Sequence, residues 1–424
     1  MEPSKPNPEK PAKKGRKKQP QIKVGDANVN DLLATIDEAR RKEIEQEEKR
    51  SRMAKEIARF RWGIAQHVHR LQDGKTKMDF NSRPFQRDIL QDESTDIIIY
   101  GAAQFGKSEI LICHAVTCAG LCGLKVLWVI SKADKRNKFV SDRIDPCFGT
   151  IPAYKKMLEQ AHSRAAKSDS TGLKHFGDGA INFVYATAYR EFTTYAVDVG
   201  IIDEHQECDQ QNLKKIDDRM SGSDWGFLMR VGHPSVDGTE ENANLDWLYQ
   251  NSDKRIWKVP CPTCKKTVEL DWHRHVIHEV KNKSGGIVSV KPRDQEWKPN
   301  SPLDMRPICD ECFRPMDRLS SKGFWEAQSP DVPRHGYNLG NLYNPSPTCR
   351  LSRLYERYLN ARHNPSDMAE FFNKVLGKPF SLVAEKINES MLTMCSTGDG
   401  GVVPYRFVPA GSMDWRILDQ EVAA

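Results

Sequence analysis

No stretch of this 424-residue sequence is long and apolar enough to cross a bilayer. The longest apolar run, around Ile97 to Ala103, falls far short of the roughly 20 residues a membrane helix needs. The basic N-terminus is not followed by an apolar signal core, so a soluble protein that is not exported is expected, with no membrane partner. Charge of one sign is also lacking over most of the chain. The formal charge is +6, but residues 1–25 alone hold eight Lys/Arg against Glu2 and Glu9, and residues 26–424 carry 56 of each sign. A protein that coats nucleic acid non-specifically shows it in net charge, so any such contact here must come from local patches. Apolar residues are 38%, enough for a core. Cysteine is present in odd number, eleven, with two Cys-x-x-Cys pairs, which indicates a reducing compartment and a metal site.

The chain divides by texture. Residues 1–30, rich in Lys, Pro, Gly and Asn, are expected to form a disordered basic arm. Residues 31–80 read as a long helix, with Leu32, Leu33, Ile36, Ile44, Met53, Ile57, Phe60 and Ile64 as its apolar stripe among dense ion pairs. From 81 to 259 short apolar runs alternate with amphipathic stretches: strands at Asp96–Tyr100, Lys125–Ile130, Ile181–Thr187, Ala196–Ile202 and Phe227–Val231, helices at Ser108–Ala119 and Lys138–Ile144. Such alternation predicts a mostly parallel α/β sheet with crossover helices. Residues 260–315 form a Cys/His/Lys/Pro-rich insert, 316–380 return to α/β texture, and 381–424 read as a C-terminal linker.

Gly101-Ala102-Ala103-Gln104-Phe105-Gly106-Lys107-Ser108 fits G-x-x-x-x-G-K-[ST] at every fixed position. It follows the strand ending in Ile97, Ile98 and Ile99 and opens a helix, the setting in which backbone N–H groups cradle phosphates. Lys107 is expected to reach the β- and γ-phosphates of ATP and Ser108 to ligate Mg²⁺. A metal carboxylate and a group to orient water are supplied by Val199-Gly200-Ile201-Ile202-Asp203-Glu204: Asp203 for Mg²⁺, Glu204 for the attacking water. Gln86, just upstream of the loop, has the amide that pairs with adenine in many DNA-translocating ATPases. Gly232-His233-Pro234-Ser235 ends a third strand where such motors sense the γ-phosphate, with His233 or Ser235 as the sensor.

Cys261-Pro262-Thr263-Cys264 and Cys309-Asp310-Glu311-Cys312 are two knuckles able to converge on a tetrahedral Zn²⁺. The 44 residues between them must form their own hairpin or insert. They carry His273, His275 and His278, any of which is an alternative ligand. Four thiolates leave no open coordination position, so the expected site is structural. The remaining cysteines read as buried small hydrophobes.

From about Phe80 to Phe380 the order of motifs resembles the large terminase subunit of tailed bacteriophages, in its lambda-like branch. The resemblance rests on Pro84-Phe85-Gln86, the phosphate loop, Ile201-Ile202-Asp203-Glu204 and Gly232-His233-Pro234-Ser235, then on three more specific blocks. These are Asp253-Lys254-Arg255-Ile256-Trp257-Lys258-Val259-Pro260 running into the first knuckle, His335-Gly336-Tyr337-Asn338-Leu339, and Phe371-Phe372-Asn373-Lys374-Val375-Leu376-Gly377-Lys378-Pro379. It implies a motor that docks as a homo-oligomeric ring on the portal protein of an empty capsid in the host cytoplasm. Such a motor hydrolyses ATP and drives double-stranded DNA inward, with a small terminase subunit selecting the DNA. Two departures stand out. Many large terminases carry an arginine inside the phosphate loop, absent here, so Arg143, Arg219 and Arg230 become candidates for the charge-neutralising arginine. Where many relatives have Ser-Thr-Pro, this chain has His233-Pro234-Ser235.

The expected protein is an α/β P-loop NTPase with a mostly parallel sheet, an N-terminal helical arm and a zinc-binding insert. Two other readings share its motifs: a DNA helicase or remodelling ATPase with a zinc ribbon, and a zinc-ribbon scaffold whose ATP site is only a switch. The family normally continues into an RNase-H-like nuclease. The 45 residues after Pro379 carry six acids on loop-like sequence, so no nuclease activity is expected of this chain.

Overall fold

The computed structural model describes residues 23–24, 27–165, 170–188, 197–235, 244–283 and 287–380. Most of the expected basic arm and the whole C-terminal linker lie outside them. A two-residue pairing of Lys23–Val24 (β1) with Ala27–Asn28 (β2) precedes helix α1, Val29–Gly63, which ends in a π turn at Ile64–Val68. The expected apolar stripe is used only in its second half. Ala54, Ile57, Ala58, Ile64 and Ala65 are buried, whereas Ile36 and Ile44 are 43% and 61% exposed. The helix is held by Arg61, whose guanidinium is engaged on every side, with Nε donating to Leu90 O at 2.8 Å, Nη2 to Asp92 O at 2.5 Å and Nη1 3.1 Å from His114 Nδ1.

The centre is a ten-stranded sheet. Its parallel strands are β3 (Asp96–Gly101), β4 (Lys125–Ile130), β6 (Gly179–Tyr185), β7 (Val199–Ile202), β8 (Phe227–Gly232), β9 (Arg255–Pro260) and β14 (His335–Leu339). Antiparallel edges come from β5 (Leu173–Phe176), β10 (Thr267–Val268) and β13 (Phe324–Glu326), the last two both on β9. The order is β10-β9-β14-β3-β8-β7-β4-β6-β5. Helices cover both faces, so central strands read as unbroken apolar runs. In β4, Val126, Trp128 and Ile130 enter the larger core, while Leu127 and Val129 enter a second core with Leu213, Ile216 and Met220 of the helix Gln210–Met220. The helices are α2 (Phe85–Leu90), α3 (Lys107–Val116), α4 (Ala133–Phe139), α5 (Asp145–Thr150), α6 (Pro152–Ala165), α7 (Gln210–Met220), α8 (Leu245–Gln250), α9 (Leu351–Ala361) and α10 (Pro365–Glu370).

After β9 the chain adds the short edge strand β10, forms the insert, pairs β13 on β9, and then enters the sheet as β14, wedged between β9 and β3. Asp253 sets this junction. Its carboxylate accepts from Gly336 N at 2.9 Å and from Arg255 Nε at 2.5 Å, while its carbonyl accepts from Gln328 N at 2.8 Å. Asp92, buried under the same corner, accepts from Tyr337 OH at 2.6 Å and lies 2.8 Å from His335 Nδ1. The blocks beginning at Asp253 and at His335 are therefore two sides of one buried polar joint. The insert contains the hairpin expected between the knuckles, β11 (Ile277–Lys281) with β12 (Ile287–Pro292), and packs Trp272 on Phe371 and Tyr358.

Candidate functional site

The parallel sheet brings the C-terminal ends of β3, β7 and β8 side by side, so motifs that lie far apart in sequence meet at one edge. Residues 101–108 form the turn between β3 and α3. Gly106 sits at φ +92°, and a Cβ there would lie 2.4 Å from Gln86 Nε2. The loop is held from below by segments the sequence does not mark as related: Ala102 N donates to Leu339 O at 2.8 Å and Ala103 N to Lys374 O at 2.9 Å. Those two amides are therefore engaged. The N–H groups of Gln104, Phe105, Gly106, Lys107 and Ser108 find no acceptor among the described residues, and together they form a cluster of donors at a helix N-terminus.

Lys107 is 7% exposed, with Nζ 3.0 Å from both Gly101 O and Ala102 O and 3.3 Å from Gly232 O. Burial lowers its pKa, opposed by the carboxylates of Glu204 and Asp203. Asp203 follows β7 directly. Its carboxyl is pushed up to about 7 by desolvation and then by neighbouring Glu204, with Lys107 pulling the other way. A carboxyl in this condition favours a cation beside it.

Glu204 adopts φ +49°, ψ +54°, a left-handed conformation that costs a non-glycine residue on the order of 1 kcal/mol or more. The strain turns its carboxylate out of the strand. Gln206 Nε2 donates to Glu204 Oε2 at 2.7 Å, and Gln206 Oε1 accepts from His233 N at 3.2 Å. His233 Nε2 stands 3.8 Å from the same carboxylate oxygen. Gln206 thus links the end of β7 to the turn after β8. Sequence reading missed it because nothing in a lone glutamine two residues past the acidic pair identifies a bridge.

The other candidate residues are held by specific partners. Gln86 is 2% exposed and its Nε2 donates to Phe105 O at 2.8 Å, so its amide braces the phosphate loop. Ser235 is turned away: its Oγ donates to Asp246 Oδ2 at 3.0 Å, and Tyr100 OH donates to the same carboxylate, leaving His233 as the polar group of that turn beside Glu204. Arg230 is buried on β8 and paired with Asp96, so it cannot extend to a neighbouring subunit. Arg143 pairs with Glu109, the residue after Ser108, and acts electrostatically on Asp203, which places it in cis beside the site. Arg219, at the end of α7, keeps a buried Nε without a hydrogen-bond partner among the described residues.

Gly377, in the last sequence block, reaches φ +66°, and a Cβ there would stand 2.8 Å from both Ala102 N and Leu339 O. Asn338 Nδ2 ties it down, donating to Gly377 O at 2.8 Å and Tyr100 O at 3.1 Å. Gly377→Ala is expected to displace the floor of the phosphate loop, lowering stability by about 1–3 kcal/mol and weakening nucleotide binding. Thermal melting and nucleotide titration of the variant check this; wild-type values for both would show the floor is not structural.

In the insert, Cys261, Cys264, Cys309 and Cys312 converge with all sulfurs within 4.8 Å of one another. Cys261 Sγ and Cys312 Sγ are 3.6 Å apart, Cys264 Sγ and Cys309 Sγ 3.8 Å. A tetrahedral ion with metal–sulfur bonds of about 2.3 Å requires edges of about 3.8 Å, so the cluster fits Zn²⁺. The two knuckles repeat one backbone geometry. Lys265 N donates to Cys261 O and Phe313 N to Cys309 O, both at 3.1 Å, and Lys265 and Phe313 take φ +67° and +56°. The histidines are elsewhere: His273 stacks on Phe372, His278 pairs across the hairpin with Lys291, and His275 lies beside Asp310.

A parallel α/β sheet with a phosphate loop at the end of one central strand and an acidic pair at the end of another defines the nucleotide-binding α/β class. Residues 73–316, more than half of the chain, match the family described as "Phage terminase large subunit gpA, ATPase domain", and the chain belongs to that family. Among solved structures, an ATPase-domain mutant of the Thermus phage P74-26 large terminase aligns at a TM-score of 0.40 and 10% identity, covering 72% of this chain and 95% of that one. The large terminase of another thermophilic bacteriophage, in complex with ADP, aligns at 0.24 and 15%, covering 34% of each chain. No curated protein matches. Among the described residues no helix is long and apolar enough to cross a membrane.

Proposed function

We propose that this chain is the ATP-hydrolysing part of a DNA-packaging motor, which couples hydrolysis to translocation of double-stranded viral DNA into empty capsids. The observation that carries the reading is the meeting of five loop N–H groups that have no partner among the described residues, and of Lys107, with Asp203 and Glu204 at one sheet edge. Family membership supports it. Lys107 leaves the carbonyls of Gly101, Ala102 and Gly232 to neutralise the β- and γ-phosphates. Ser108 and Asp203 would hold Mg²⁺, which would supply charge neutralisation at the phosphates. Glu204, aimed by its backbone strain and by Gln206, orients the water. His233 senses the γ-phosphate through its proximity to Glu204. Arg143 stabilises developing charge in cis, and Arg219 remains the candidate for donation to a neighbouring subunit in a ring.

Zn²⁺ on the four cysteines is structural in this reading, and the portal protein and small terminase subunit are the partners. The deciding measurement is ATP turnover of the purified chain alone, with linear duplex DNA, and with DNA plus empty capsids. Stimulation by capsids without strand separation is expected. Strand separation with robust turnover would favour a helicase instead, and absence of turnover under all three conditions would refute the motor.

A further inference from the structure

The insert carries more than its cysteines. Its acidic side chains are engaged internally: Asp294 and Glu296 both end on Arg306, Asp304 caps α9 through Leu351 N and Ser352 N, and Asp310 pairs with Arg274. Glu279 meets Tyr358 OH, Glu269 meets Lys378, and Glu311 meets Lys266. Of the ten Lys/Arg in residues 260–315, Lys265, Lys266, Arg274, Arg293 and Arg306 are engaged in the same way, but the other five are not. Lys281, Lys283, Lys291, Lys298 and Arg314 make no side-chain hydrogen bond or ion pair among the described residues, and all are exposed. The unpaired charges on the surface of this segment are therefore cationic among the described residues, while its exposed acids Glu296 and Glu311 are paired with Arg306 and Lys266.

The free cations are not spread evenly. His278 and Lys291 are cross-strand partners on one face of the β11–β12 hairpin, while the opposite face, with Glu279 and Val290, packs toward α9. The outward face and the second knuckle enclose a groove of about 760 Å³, lined among others by His278, Lys291, Arg293, Phe313 and Arg314. Asp294 lines it too, but is 2% exposed and neutralised by Arg306; Glu296 on the rim is held by the same arginine at 2.6 Å. Phe313, 73% exposed, is carried at φ +56° at the knuckle tip and offers one apolar edge beside the charges. The lining has no wide apolar floor of the kind that the core of a protein interface requires. It has separated donors around one ring, which suits a chain of phosphates and sugars.

We propose that this groove binds the sugar–phosphate backbone of duplex DNA. Lys291 and Arg314 donate to successive phosphate oxygens, His278 stands across the hairpin from Lys291, and Phe313 covers the deoxyribose. The choice of duplex rests on the proposed motor function; the phosphodiester chemistry does not. The site is well placed to matter. Trp272 and His273 at the base of the insert pack on Phe371 and Phe372, the start of the turn whose Lys374 O holds Ala103 of the phosphate loop.

The test is fluorescence anisotropy of a short labelled duplex with the full chain, without nucleotide, over a range of salt. The double variant Lys291→Glu/Arg314→Glu is expected to weaken binding roughly tenfold or more and to flatten the slope of log affinity against log salt by about two, near one for each phosphate no longer neutralised. Zinc content and basal ATP turnover should stay at wild-type values, which shows the insert still folds. Phe313→Ala should weaken binding without changing the slope. A matched reversal at exposed Lys155 and Lys156 on α6 should leave affinity unchanged. Wild-type affinity and slope in the groove variant would overturn the proposal, as would an equal loss from the α6 reversal. A wild-type chain that binds duplex through the groove but hydrolyses no ATP would sink the motor and leave this site standing.

Discussion

Glu204→Gln is expected to bind ATP and fail to turn it over, losing roughly 10²–10⁴ in rate, the usual cost of removing a positioned general base. The substitution preserves shape and the hydrogen bond to Gln206 but removes the charge that polarises water. Lys107→Ala should differ in kind. Its ammonium is the cation buried within the loop, resting on three carbonyls in a conformation that phosphate can displace, so its loss should weaken nucleotide affinity as well as turnover. Equilibrium binding of a fluorescent nucleotide beside steady-state hydrolysis separates the two. Wild-type turnover in Glu204→Gln would remove Glu204 from the chemistry and shift attention to His233.

Metal removal should produce the other large effect. Analysis of protein purified without chelator should find about one zinc per chain, and Cys309→Ser should lose it. Structural zinc contributes apparent binding free energies of about 10–16 kcal/mol in small zinc-dependent units, so its loss should be felt first around these knuckles. The core under them, with Val268, Leu270, Trp272, Val276 and Met305, joins the main one at Phe371. Chelation is therefore expected to melt the knuckles and hairpin first, reported by Trp272 and Trp297 fluorescence, in a transition below that of the central sheet. Zinc-free protein that melts in one step at the untreated temperature would show that the four thiols hold nothing.

The local elements were legible because each has a local cause. Asp96–Gly101 and Lys125–Ile130 are strands because both their faces are buried, which writes an unbroken apolar run into the sequence. The phosphate loop was legible because a tight turn into a helix restricts residue types at fixed spacing, and the cysteine pairs because two ligands from each knuckle must come from one short turn. The long helix α1 was legible as a helix, but not in what it buries: the pattern continues through Ile36 and Ile44, which the body does not reach.

What the sequence determined by itself was the set of chemical groups: a phosphate loop, an acidic pair, four thiols and the family they resemble. Tertiary structure decided what each group faces. Gln86 carries the amide an adenine would need, but its position beneath Gly106 commits it to Phe105. Ser235 and His233 look equivalent in the turn after β8 until Asp246, eleven residues beyond Ser235, takes the hydroxyl. Arg230 and Arg143 are alike as side chains, yet one lies on a strand beside Asp96 and the other on a helix beside Glu109. The return of β14 against β3 was invisible because parallel pairing between segments so distant in sequence leaves no local pattern, only a demand for apolar residues that many placements satisfy. Composition and spacing are properties of the chain alone, whereas the partner of a buried polar group is fixed by whichever distant segment the whole sheet brings within hydrogen-bond reach.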